Sequence, residues 1–236
     1  MSAPIAIVAA MREELDALLA IYPACKALTH FNTDLFQTHH GQQELVIAQS
    51  GVGKVNAACT LALLLSDFEP RCVINIGCAG GLHANQNVLD LVIPEEIVYT
   101  DVDVTPLGMA YGQMLGSPAR FKAAPELLSA FRALEAQPVL NASCDYGMLG
   151  SADAFIHQPE QVDLIRRRFD NQVRCVDMEG AAIAQVCTRF GVPFLILRAL
   201  SDVPGKGQNT IDFQTFLNRA AANSAALCRR LVEALA

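Results

Sequence analysis

Three stretches of this chain are apolar at odd and even positions alike: IAIVAA (5–10), CVINIG (72–77) and FLILRAL (194–200). A strand with two apolar faces cannot border water on either side. It needs cover above and below, and helices packed on both faces of a sheet supply it. The intervening sequence provides them. MREELDALLAI (11–21) and GKVNAACTLALLLSDF (53–68) have helical spacing, and PELLSAFRALEA (125–136) and PEQVDLIRRRF (159–169) each open on a proline suited to a first helical turn. Further helices are expected from about Glu179 and over the last residues. Two strands, 33–40 and 44–50, flank a turn at His40-Gly41-Gln42. Residues 88–100 read as a long strand interrupted at Pro94, and 144–156 as strand then loop. The expected fold is α/β: a single three-layer domain, residues 1–236, with a central mixed, largely parallel β-sheet flanked by helices. No Pro/Gly/Ser-rich linker divides the chain.

The bulk properties exclude several functions. Asp and Glu outnumber Lys and Arg by 24 to 17, a net charge of −7, and phosphate backbones need clustered cations. Nucleic acid is therefore not an expected partner, and the one compact basic run, Arg166-Arg167-Arg168, reads as a solvated helix face. No apolar run reaches the roughly 18 residues of a membrane span, and the first residues lack the basic flank of a signal peptide. Eight cysteines show neither a disulfide framework nor metal-ligand spacing, which fits a reducing cytoplasm. No metal or cofactor is expected, and the NAS sequon at Asn141 carries no weight without export.

In sheets of this kind ligands gather at the carboxyl ends of strands. Four polar residues stand there or nearby. Glu14 shares a helix face with Met11, Leu15 and Leu18, either as an edge carboxylate reaching water or as a site acid. Glu179 heads a stripe with Ile183, Val186 and Phe190, while Asp177, just before the helix, suits a cap. Arg198 interrupts an apolar strand and needs a partner, because an unpaired buried charge costs several kcal/mol. Asp202 follows that strand in a stretch, SDVPG, that also reads as a turn. If the strands are neighbours, three acids and an arginine converge. Such a set suits polyol recognition and acid/base cleavage of a bond to a sugar carbon.

Other motifs fail. AQSGVGKV resembles a phosphate loop, yet Ala48 stands where its first glycine belongs and Val55 follows Lys54 in place of Ser or Thr. GCAGGL is not GxGxxG. Cys78 has no histidine in an evident pairing position, so a site-lining or buried thiol is the plainer reading.

Taken in order, IAIVAAMREEL, SGVGKVNAA, NIGCAGGL, DVDVT with YGQ, SADAFI, VDMEGAAIAQVC and RALSDV resemble the 5′-methylthioadenosine/S-adenosylhomocysteine nucleosidases of the nucleoside phosphorylase superfamily, over nearly the whole chain. The resemblance implies an adenine nucleoside as substrate, hydrolysis of its N-ribosyl bond and a homodimer. Glu14 would activate water and Arg198 help hold it. Met178 and Glu179 would grip the ribose, and Asp202, supported by Ser201, would protonate adenine N7. Backbone groups of Phe155 and Ile156 would read the base and Phe213 would stack nearby. Met11, Val52 and the strand end Cys78-Ala79-Gly80 would line the site. Leu107, Met109 and Leu115 would close the neighbour's 5′ pocket. This sequence departs from the family pattern at Cys78, where serine is usual, and in that loop, where aromatic residues and proline are common. The alternatives are a phosphate-dependent purine or uridine phosphorylase, and a nucleoside-binding protein without turnover.

Overall fold

The computed structural model describes residues 3–30, 33–135, 144–203 and 209–236. The Asn141 sequon, the expected helix end at Ala136 and the loop stretch 204–208 lie outside them. The described elements are β1 (Ile5–Ala9), α1 (Arg12–Ile21), β2 (Lys26–His30), β3 (Thr33–His40), β4 (Gln43–Gln49), α2 (Lys54–Phe68), β5 (Cys72–Gly81), β6 (Leu91–Tyr99), β7 (Phe121–Lys122), α3 (Pro125–Glu135), β8 (Cys144–Ser151), α4 (Pro159–Arg168), β9 (Val173–Asp177), α5 (Gly180–Phe190), β10 (Phe194–Asp202) and α6 (Asn209–Leu235). Among the described residues no helix is long and apolar enough to cross a membrane.

One sheet links all the strands, in the order β10-β6-β8-β9-β5-β1-β4-β3-β2, with β7 on β6. β10 also pairs with β5, so β5, β10, β6, β8 and β9 close on themselves. The sheet is mixed, as expected; among the described residues five of ten strand pairings are parallel. β1 and β10 run parallel to β5 between them, whereas β9 meets β5 antiparallel.

Alternation along the central strands explains their two apolar faces. Ala6, Val8, Val73, Phe194 and Ile196 pack with Leu61 and Leu64 of α2 and Ile183 and Cys187 of α5. Ile5, Ile7, Ile74, Leu195 and Leu197 pack on the opposite side with Leu15 and Leu18 of α1, Leu127 of α3 and Leu231 of α6. This is the three-layer arrangement the two-faced strands demand.

Three local expectations are corrected and one strand is added. β2 completes an edge that the sequence did not announce. Pro94 does not break β6; it sits at a register shift opposite β8, where its missing N–H is tolerated. The strand expected over 72–77 does not stop at its glycine run: β5 continues to Gly81, its small residues admitting neighbours closely. Likewise β10 extends through Ser201 and Asp202, so Asp202 ends a buried strand rather than starting a turn.

Candidate active site

A cavity of about 320 Å³ opens where β1, β5, β9 and β10 end, within the size of small-molecule sites. Its lining includes Met11, Glu14, Val52, Cys78, Ala79, Gly80, Phe155, Met178, Glu179, Ser201, Asp202 and Phe213, each expected from the sequence. Ala10, Val176 and Asp177 join them. The three carboxylates expected to converge do so.

Glu14 is fixed by the start of α1. Its Oε2 accepts the N–H groups of Ala10 (2.9 Å) and Met11 (3.0 Å), and its Oε1 that of Cys78 (3.0 Å). Gly77 makes room for it: a Cβ there would stand 3.0 Å from Glu14 Oε1 and 3.4 Å from Arg198 Nη1. Burial pushes the Glu14 carboxyl above its ordinary value, although the three N–H groups and Arg198 work the other way.

Glu179 precedes α5 and is buried. The Gly53 N–H donates to its Oε1 at 2.8 Å. Burial, reinforced by the neighbouring Asp177, raises its pKa to about 7. The stripe expected from it holds at Ile183 and fails at Phe190, which is exposed; the buried face turns instead through Ala184 and Cys187.

Asp202 stands at the end of β10. Oδ1 accepts the Ser201 hydroxyl at 2.9 Å, whereas Oδ2 is buried and has no hydrogen-bond partner. Burial raises its pKa to about 6, with Asp212 adding to the effect and the Ser201 bond opposing it.

Arg198 does not line the cavity. It lies behind the wall, 2% exposed, with Nη2 donating to Asp177 Oδ2 at 2.6 Å and to Asn75 Oδ1 at 2.5 Å. Asp177 also accepts the Ser151 hydroxyl at 2.5 Å and caps α5 through the Gly180 N–H at 2.9 Å. The cap expected of Asp177 is present on Oδ2, the oxygen that also takes Arg198, and with Ser151 on Oδ1 the carboxylate ties the ends of β8, β9 and β10 together. Asn75 and Ser151 were missed. Asn75 had a readable signal, a polar residue inside CVINIG, of the same kind as that of Arg198; Ser151 had none.

Ile156 also stays out of the cavity; its side chain packs with Leu82, Val98 and Val162. The Phe155 carbonyl is engaged by His157 Nδ1 at 3.0 Å, and the Phe155 ring meets Phe213 edge-on with centroids 5.6 Å apart. The Cys78 thiol, its pKa pushed up by burial, points toward the Leu217 carbonyl at 3.8 Å, which makes it a poor nucleophile. Leu107 and Leu115 are exposed, Met109 is half-buried, and all three stand apart from the cavity of their own chain.

The chain belongs to the phosphorylase superfamily, whose family model matches residues 4–233. Within that superfamily the chain belongs to the 5′-methylthioadenosine/S-adenosylhomocysteine nucleosidase family. The nucleosidase of Anoxybacillus flavithermus is 41% identical over 98% of both chains, and that of Marinomonas sp. 39% identical over 97% of this chain and 98% of the relative. The Neisseria meningitidis nucleosidase, solved with methylthio-immucillin-A, superposes with a TM-score of 0.92 at 38% identity, over 98% of this chain and 99% of that one. The Colwellia psychrerythraea enzyme, solved with adenine, gives a TM-score of 0.94 at 34% identity, over 100% and 96%.

Proposed function

We propose that this chain hydrolyses the N-ribosyl bond of 5′-methylthioadenosine and S-adenosylhomocysteine, releasing adenine and a 5′-thio-substituted ribose. The observation that carries the reading is Asp202: a buried carboxyl, raised to about 6, with one oxygen unpartnered in the cavity. A carboxyl so placed can hold a proton and deliver it to N7 of the departing purine. Glu14, lifted by burial, takes a proton from the attacking water. Glu179 holds the ribose hydroxyls, and its charge favours the positive sugar of the transition state. Met178 packs on the ribose, Phe155 and Phe213 flank the base, and backbone groups of Phe155 and Ile156 read its edge. Arg198 acts from behind, by charge on Glu14 and by holding Asp177. The same acids disfavour phosphate as nucleophile, because Glu14 stands where the anion would have to approach.

Residues 1–236 act as one cytoplasmic domain, paired as a homodimer in which Leu107, Met109 and Leu115 reach the neighbour's 5′ pocket. Their separation from their own cavity supports that role.

Incubating the protein with methylthioadenosine, S-adenosylhomocysteine, adenosine and inosine, with and without phosphate, tests the reaction. Adenine release from the thioether nucleosides should be independent of phosphate. A strict phosphate requirement would make the chain a phosphorylase, and binding without release of base would make it a carrier.

The pH profile of kcat/KM supplies a second test. Asp202 must be protonated and Glu179 ionised, so activity falls as pH rises through about 6 and as it drops through about 7. The two limbs overlap, giving a narrow bell with its maximum between those values. A profile that stays flat into the alkaline range would remove Asp202 as the acid.

A further inference from the structure

SGVGK (50–54) fails as a phosphate loop, yet it forms an anion cradle, and this chain's own carboxylates fill it. Gly53 (φ +96°) and Lys54 begin α2, where free N–H groups and the helix dipole favour negative charge. Gly53 has no side chain with which to cap the helix. Its N–H donates to Glu179 Oε1, and the next N–H, that of Lys54, donates to Asp153 Oδ1, both at 2.8 Å. Two carboxylates that follow the paired strands β8 and β9 therefore cap one helix side by side.

The outer carboxylate is held in turn. Asp153 follows β8 and Asp101 follows β6, and these strands run parallel with Tyr99 paired to Ser151. Asp101 Oδ2 accepts the Asp153 N–H at 2.9 Å and the Lys54 ammonium at 2.6 Å. Lys54 Nζ also lies 3.7 Å from Asp153 Oδ2 and 5.3 Å from the centre of the Tyr99 ring. A Cβ on Gly53 would come within 3.3 Å of Asp153 Oδ1, so the glycine permits the close approach.

We infer that Asp153, clamped by Lys54 and Asp101, is a positioning residue that sets the Gly53 N–H against Glu179 and so aims the free oxygen of Glu179 at the ribose hydroxyls. The inference rests on the ribose-binding role proposed for Glu179. Asp153 itself touches no reacting atom. It acts by fixing the turn, and the Lys54 side chain locks that turn to the ends of β6 and β8. Glu179 needs the help because its remaining surroundings include Asp177, a like charge.

The experiment compares methylthioadenosine with its 3′-deoxy analogue in the full-length protein. Asp153→Ala should raise KM for methylthioadenosine about tenfold, as losing a hydrogen bond to a charged group does, with a smaller change in kcat. It should also shrink the preference for the 3′-hydroxyl substrate. Asp153→Asn keeps an acceptor for the Lys54 N–H and should restore most of both. Lys54→Met, which removes only the ammonium, gives the same readout should Asp153→Ala not fold. Glu179→Ala is the reference for lost discrimination. Wild-type discrimination in Asp153→Ala, beside lost discrimination in Glu179→Ala, overturns the positioning role alone. Wild-type discrimination in Glu179→Ala overturns the ribose reading and this inference with it.

Discussion

Replacing Asp202 with asparagine should abolish most turnover and at the same time make the protein more stable at neutral pH. The loss follows from the missing proton, which as a general acid contributes about 10²–10⁴-fold. The gain follows from linkage. The Asp202 carboxyl titrates near 3.8 when unfolded and at about 6 when folded, so the folded state binds the proton more tightly. Its favourable contribution is fully present below the unfolded value and is lost as pH rises through the folded one. At neutral pH the buried ion costs up to about 3 kcal/mol. Asparagine carries no charge and keeps an oxygen for the Ser201 hydroxyl, but its amide N–H groups inherit the unpartnered site of Oδ2, which costs about 1 kcal/mol or more. A net gain of up to about 2 kcal/mol is expected. Melting temperatures across pH check the sign: the variant should exceed the wild type at neutral pH, and that advantage should be lost in acid. Normal turnover would remove Asp202 from the mechanism. An unchanged neutral-pH melting temperature would show that burial does not strain its charge.

The features legible in the sequence share one physical source, periodicity. Two-faced apolar strands announced a covered sheet, and helical spacing placed Glu14 on the buried face of α1 beside Leu15 and Leu18. Acids at strand ends were visible because they sit where an apolar pattern stops. What escaped depends on pairing across the chain. No local pattern says that β5 pairs with β10, β1 and β9, and only that arrangement brings Asn75, Asp177 and Arg198 together. The strand reading over 72–77 ended where the glycine run begins, because glycine commonly interrupts strands. Here it leaves space at Gly77 for two facing charged groups. Lys54 likewise read as part of a failed phosphate motif. Its partners Asp101 and Asp153 lie 47 and 99 residues away, and only the parallel pairing of β6 with β8 sets them side by side.

Arg198 shows how such pairing changes an assignment, and its substitution should have the largest effect on stability. The side chain donates to Asp177 through Nη2 at 2.6 Å and Nε at 3.2 Å, and to Asn75 Oδ1 and the Leu197 carbonyl. Burial opposes its charge, while Asp177, Glu14 and Glu179 outweigh burial and raise its pKa. Arg198→Met fits an apolar strand and removes the cation, leaving Asp177 with only the Ser151 hydroxyl and the Gly180 N–H. An uncompensated buried charge of this kind costs about 3–5 kcal/mol. Glu14 loses its cation as well, so its pKa rises further and activity falls. A guanidinium that merely held water would cost activity and leave the denaturation midpoint in place. Adding Asp177→Asn to Arg198→Met separates the two roles, because neutralising the orphaned carboxylate should recover part of the lost stability and none of the effect on Glu14. Equal midpoints for Arg198→Met and the wild type would show that the Asp177 pair does not hold the strand ends together.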